Sequence, residues 1–73
     1  MRWQDRIRVN PNVCHGKPCI KGTRVLVSVV LADVAVGEPV ESITSGYHIE
    51  REDVQAALFF AADLAQDCHL PFS

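Results

Sequence analysis

The sequence predicts a mainly α fold, three helices packed as a bundle and preceded by a short N-terminal β segment. Three observations lead there. Val27, Val30, Leu31 and Val34 fall at i, i+3, i+4 and i+7, and Gly37 follows them. That is the spacing of one helical face, ended by the residue type that most often closes a helix. Val54, Ala57, Leu58, Ala61, Leu64 and Ala65 carry the same period over a longer stretch. Arg6-Ile7-Arg8-Val9 instead alternates polar and apolar residues, the period of a half-buried strand.

Taken in order, the strand over Arg6 to Val9 is broken by the turn signal Asn10-Pro11-Asn12. It is expected to pair with the Arg24-Val25-Leu26 region, within the chain or across a dimer. Trp3, the single tryptophan, reads as a core or interface anchor. Cys19-Ile20 and Val25-Leu26-Val27 then read as two short extended pieces joined by a tight basic turn, Lys21-Gly22-Thr23-Arg24. Gly16 and Gly22 bracket this stretch, and Pro18, which has no N–H for a ladder, belongs at a strand edge or start. The stretch is not a nucleotide loop, because Gly22 is followed by Thr23 rather than by Lys and a hydroxyl residue opening a helix.

The first helix is expected over Val27 to Val36. Its β-branched valines lean toward strand, but the periodicity and the stop at Gly37 favour helix. Ser28 would cap it or sit in its first turn. A short second helix begins at Glu38-Pro39, with Pro39 at the first helical position, Val40 and Ile43 facing inward and Gly46 ending it. The third helix runs from Glu50 to about Asp67, with Glu50, Glu52 and Asp53 at its positive end. Phe59 and Phe60 are adjacent and point about 100° apart on a helix, so one is expected in the core and the other against a partner. Pro71 rules out helix beyond it. Three helices with a tight turn between the second and third fit a homeodomain-like helix-turn-helix bundle. One domain is expected, with β strands and the basic turn over 1–26 and the bundle over 27–67.

The stretch Cys14-His15-Gly16-Lys17-Pro18-Cys19-Ile20-Lys21-Gly22-Thr23-Arg24-Val25 resembles the opening signature of a small bacterial family, domain of unknown function 433. Its members read roughly Gly-Gly-Lys-Pro-x-Ile-x-Gly-Thr-Arg, then an apolar helix, a Gly, a short acidic helix and a last helix with Ala-Leu-x-x-Ala. The matching later parts here are Val27 to Val36, Gly37, Val40 to Ser45 and Val54 to Ala61, so the resemblance runs from about Ile7 to Ala65. His15 stands where Gly is usual and Leu26 where Pro is common, and Tyr47-His48-Ile49 lacks the usual Tyr-Pro-x-Leu. The resemblance implies an antitoxin-like protein that neutralises a small nuclease toxin of PIN-like fold and binds its own operator DNA, as a dimer or as the complex. A stand-alone DNA-binding regulator and a dimerisation module without a nucleic-acid role stay open as alternatives.

Charge is segregated along the chain. Residues 1–24 carry Arg2, Arg6, Arg8, Lys17, Lys21 and Arg24 against Asp5, a balance of +5. Residues 25–73 carry Arg51 against eight carboxylates, a balance of -7. A chain of 73 residues buries only about 60% of its unfolded surface. With 48% hydrophobic residues, part of that apolar content is expected to face a neighbour, a homodimer mate or another protein. No signal-peptide apolar run and no stretch near the roughly 20 residues of a membrane span is evident, so a cytoplasmic location with reduced thiols is expected. Cys14, His15, Cys19, His48, Cys68 and His69 complete no paired zinc-ligand spacing, so no metal and no cofactor is expected. The same residues form no catalytic triad spacing, and an enzyme is disfavoured.

Candidate sites follow from this charge map. Lys17, Lys21 and Arg24 are the expected phosphate contacts, and Arg51 and Gln55 the residues able to read a base edge. Whether the helix-turn-helix docks on DNA or is only an architectural core stays open, because the carboxylates at the head of the third helix repel phosphate. Glu50, Glu52, Asp53, Phe59 and Phe60 are the expected toxin or partner contacts. Gly16, Gly22, Thr23 and Gly37 are expected to be structural turn residues, and Asp33, Glu41 and Asp63 isolated carboxylates on solvated faces.

Overall fold

The computed structural model describes residues 2–67. Cys68, His69 and Pro71 lie outside them. A two-stranded antiparallel sheet, β1 (Ile7–Arg8) and β2 (Cys19–Ile20), precedes three helices, α1 (Val27–Ala35), α2 (Val40–Tyr47) and α3 (Arg51–Asp67). The mainly α architecture is therefore the one expected. Among the described residues no helix is long and apolar enough to cross a membrane.

The strand pairing differs from expectation. β1 pairs with β2, Ile7 opposite Ile20 and Arg8 opposite Cys19, and not with Arg24-Val25-Leu26. The reason lies in the tight turn. The Thr23 N–H donates to the Ile20 carbonyl at 3.0 Å, with Gly22 at φ 80° between them. The Thr23 hydroxyl donates to the same carbonyl and accepts from the Val25 N–H. This folds the following residues straight back, so that Leu26 bridges Cys19 and the Val27 N–H reaches the Pro18 carbonyl. One edge of β2 is thus filled locally and β1 takes the other. Pro18 precedes β2, where its missing N–H costs no ladder bond.

α1 forms as its valine spacing dictates. Val27 and Val30 are buried, and Leu31 and Val34 pack against the core from the same stripe. Its end is a full Schellman closure, Gly37 N–H to the Val34 carbonyl and Glu38 N–H to the Asp33 carbonyl, both 3.0 Å. Gly37 sits at φ 90° to make that turn. Ser28 lies in the first turn, while Leu26 occupies the N-cap position.

Two boundaries of α2 are corrected. Pro39 is the N-cap, not the first helical residue, with its carbonyl accepting from Ser42 and Ile43. Gly46 lies inside the helix. The stop is His48, left-handed at φ 56°, which lets the Ile49 N–H return to the Thr44 carbonyl and turns Ile49 into the core. α1 and α2 are also tied by the Tyr47 hydroxyl, which donates to Asp33 at 2.7 Å. Asp33 is thus not an isolated carboxylate.

The buried face of α3 is rotated by one residue from the expected stripe. Asp53, Val54, Ala56 and Ala57 are buried, Phe60 packs against the core, and Leu58, Leu64 and Ala65 are exposed. The N-terminal arm causes the rotation. Trp3 stands edge-on to Phe60, ring centroids 5.0 Å apart at 88°, and its indole N–H donates to Asp63. This aromatic contact and the burial of Asp53 draw the 53, 56, 57, 60 row inward. Phe60 is therefore the core phenylalanine, and Phe59 remains 53% exposed.

Two predictions follow from these closures. A Cβ on Gly22, Gly37 or Gly46 would meet nothing within 4 Å, and only the first two have positive φ. Gly22→Ala and Gly37→Ala should each lower stability by about 1–2 kcal/mol, the cost of a left-handed L-residue. Gly46→Ala should raise it by about 0.5–1 kcal/mol, because Ala is the better residue inside a helix. Thermal melts check the signs. Separately, the hydrogen bond to Asp33, then burial, raise the Tyr47 phenol above its ordinary pKa. The neutral phenol is the form the fold holds, so its contribution is complete below about pH 10 and is lost as pH rises through the higher folded value. Tyr47→Phe should flatten this alkaline part of the stability curve, measured by denaturant melts across pH 8–11.

Candidate interaction surfaces

The charged residues at the head of α3 are arranged first for the fold. Glu50 occupies the N-cap position, its carbonyl accepting from Asp53 and Val54. One Asp53 oxygen accepts the Glu50 N–H at 2.9 Å, the carboxylate arm of a capping box. The other accepts from Arg6 at 3.0 Å, while Glu50 stands 3.8 Å from the same guanidinium. The hydrogen bond to Asp53 outweighs partial burial and holds the Arg6 pKa above its ordinary value. Asp53, 8% exposed, is therefore a structural residue and not a surface for a partner, which corrects its expected role. Glu50 and Glu52 remain exposed.

Arg51, an expected base reader, donates to Glu41 at 3.2 Å. Both side chains are well exposed, so this pair contributes little stability, but it gives Glu41 a partner and draws the guanidinium toward α2. Gln55 lies on a different surface. With Leu58, Phe59 and Ala62 it lines an open concavity of about 510 Å³ along the outer side of α3. These four residues are spaced i, i+3, i+4 and i+7, so the helix presents a second apolar stripe beside its buried one. Leu58 is 45% exposed on it.

The basic residues divide as well. Lys17 and Arg24 line a cleft of about 380 Å³ with Asn12, Cys14, His15 and Leu26. Lys21 sits instead beside Arg6, Glu50 and Asp53. One wall of the Lys17–Arg24 cleft is an unusual left-handed turn. Cys14, His15 and Gly16 have φ of 53°, 55° and 79° in succession. Two of these are not glycine, and such residues rarely enter this region. The turn is closed by Gly16 N–H to Val13 and Lys17 N–H to Cys14, and the Cys14 thiol donates to the Arg24 carbonyl at 3.5 Å. Partial burial and the neighbouring Cys19 raise the Cys14 thiol pKa, against the opposing charges of Arg24 and Arg8. Among the described residues no group of three or more His, Cys, Asp or Glu side chains is placed to hold a metal ion.

The family model described as protein of unknown function (DUF433) matches residues 7–61. The chain belongs to this family. The match in this DUF433 member spans β1, the left-handed turn, the basic turn, α1, α2 and the first part of α3. No curated protein and no solved structure matches the chain.

Sequence reasoning left open which of Phe59 and Phe60 faces the core and put Leu58 on the inward face, where the structure exposes it, because the helical period alone admits two neighbouring stripes on α3. It also missed His15 and Arg8 near the basic cleft. The signal for His15 was present in its replacement of the usual glycine. Asp53→Ala should remove both the cap and the Arg6 contact and lower stability by about 1–3 kcal/mol. Glu52→Ala, one residue away and exposed, should change it by less than about 0.5 kcal/mol in either direction. Denaturant melts of the two variants check the contrast.

Proposed function

We propose that this DUF433 member is an antitoxin-like binding protein that occupies and neutralises a small nuclease of PIN-like fold, acting by surface complementarity rather than by catalysis. The observation that carries the reading is the unpartnered apolar stripe of α3, Leu58 and Phe59, set in the acidic part of the chain. Both side chains are about half exposed, an arrangement that favours a protein neighbour over water. Glu38, Glu52 and Asp67, all exposed, have no cationic partner among the described residues. A nuclease that grips RNA presents a basic surface, and such a surface complements the acidic balance of residues 25–73, to which the stripe belongs. The aromatic side chain then supplies the buried anchor and the carboxylates supply orientation and association rate.

A DNA-reading role for the head of α3 has less support. Arg51 is engaged by Glu41, Asp53 is buried, and Glu50 and Glu52 repel a phosphate backbone.

The test is co-expression with the small acidic-triad nuclease of the adjacent reading frame. The parent protein is expected to co-purify with that nuclease and to restore growth. Phe59→Asp should keep the parental melting curve, because the side chain is exposed, while losing at least about 2 kcal/mol of binding, a typical hot-spot loss. Retention of full neutralisation by Phe59→Asp, or an adjacent frame without such a nuclease, would sink the proposal. A parent that self-associates through this stripe, shown by sedimentation of the isolated protein as a Phe59-dependent dimer that excludes the nuclease, would assign the surface to a second copy instead.

A further inference from the structure

We propose that the cleft between the left-handed turn and the basic turn is a phosphate-binding site that takes the phosphodiester backbone of a nucleic acid. The charge of the cleft is uncompensated. Lys17 and Arg24 line it from opposite segments, and neither has a carboxylate within 4 Å among the described residues, whereas Arg6 and Arg51 do. A third cation, Arg8, lies behind the cleft rather than in its lining. Arg8 lies opposite Cys19, and Cys19 opposite Leu26, so the three side chains rise from the same face of the sheet, and Leu26 lines the cleft. The Arg8 Nε is buried and has no hydrogen-bond partner among the described residues. Its charge nonetheless reaches the cleft wall, where with that of Arg24 it acts on the Cys14 thiol and adds to the positive field there.

The walls are built to hold position. The left-handed turn aims Lys17 by way of two non-glycine residues in a sparsely populated backbone region. The Cys14 thiol, donating to the Arg24 carbonyl, ties that turn to the segment bearing Arg24. Strain kept in this way is concentrated where a structure must present groups in a set geometry.

The chemistry favours a polymer backbone over a mononucleotide. Among the described residues the lining carries no Phe, Tyr or Trp on which a base could stack, and its cations are exposed rather than enclosing. Such a surface reads charge along a strand and not the identity of a base. The site uses none of the α3 residues assigned to the nuclease, so it stands or falls independently of that reading.

The experiment is a salt titration of a fluorescein-labelled mixed-sequence DNA duplex against the full chain, with amide chemical shifts recorded for inorganic phosphate and for unlabelled duplex. The duplex is expected to shift the amides of Cys14 to Lys17 and of Thr23 to Val25. Lys17→Ala and Arg24→Ala should each reduce the slope of log affinity against log salt by about 0.9, which is about a 3.5-fold change between 50 and 200 mM salt. Both side chains are exposed, so parental melting curves are expected and verify folding. Arg51→Ala, Gln55→Ala and Phe59→Asp should leave affinity and slope unchanged. A double Lys17→Ala, Arg24→Ala variant with the parental slope would overturn the assignment, as would loss of binding in Arg51→Ala. Amide shifts with inorganic phosphate but no binding of duplex would overturn the backbone assignment in favour of a small free anion.

Discussion

The ion pair between Arg6 and Asp53 joins the two parts of the chain that differ most in character, and the rest of the structure depends on it. Arg6 belongs to the basic arm and Asp53 to the acidic helix, 47 residues later. The same carboxylate closes the first turn of α3 through the Glu50 N–H. A single side chain therefore starts the longest helix, sets the position of the β segment and neutralises a cation of the arm. Its burial is tolerable because both oxygens are used, one by a guanidinium and one by a backbone donor.

That lock decides which way α3 faces. With Asp53 turned toward the arm, Ala56, Ala57 and Phe60 follow it inward, and Phe60 meets Trp3. The row beside them, Gln55, Leu58, Phe59 and Ala62, is left outside with two large apolar side chains. A helix carrying apolar residues on more than one stripe has one stripe to spend on the core and another to offer a neighbour. Charge separation along the chain gives the second surface its different chemistry. Lys17 and Arg24, which Asp53 does not recruit, line the cleft beside the left-handed turn, while Glu52 and Asp67 stay exposed on α3.

The candidate sites were partly legible. Lys17 and Arg24 are contributed by one continuous motif, so their association follows from short sequence separation. Lys21 belongs to the same motif but points elsewhere, because the turn at Gly22 reverses the chain between it and Arg24. Asp33, Glu41, Asp53 and Asp63 all read as solvated or partner-facing carboxylates, yet each has a donor 10 to 60 residues away: Tyr47, Arg51, Arg6 and Trp3. Partners at such separations leave no local pattern to read.

What the sequence by itself determined were the features that local physics controls. Helical periodicity and the glycine stop placed α1, with all four of its expected inward residues. The Lys21-Gly22-Thr23 signal placed the tight turn, because few residue types accept φ near 80° there. The clustering of cations before residue 25 determined the charge asymmetry. Tertiary structure alone decided the partner of β1, because both edges of β2 were open until the turn filled one of them. It decided that His48 rather than Gly46 closes α2, since the closure is what buries Ile49. It also decided which of two adjacent stripes on α3 is core, because a 3.6-residue period is equally served by rows one residue apart until Arg6 and Trp3 pack against one of them.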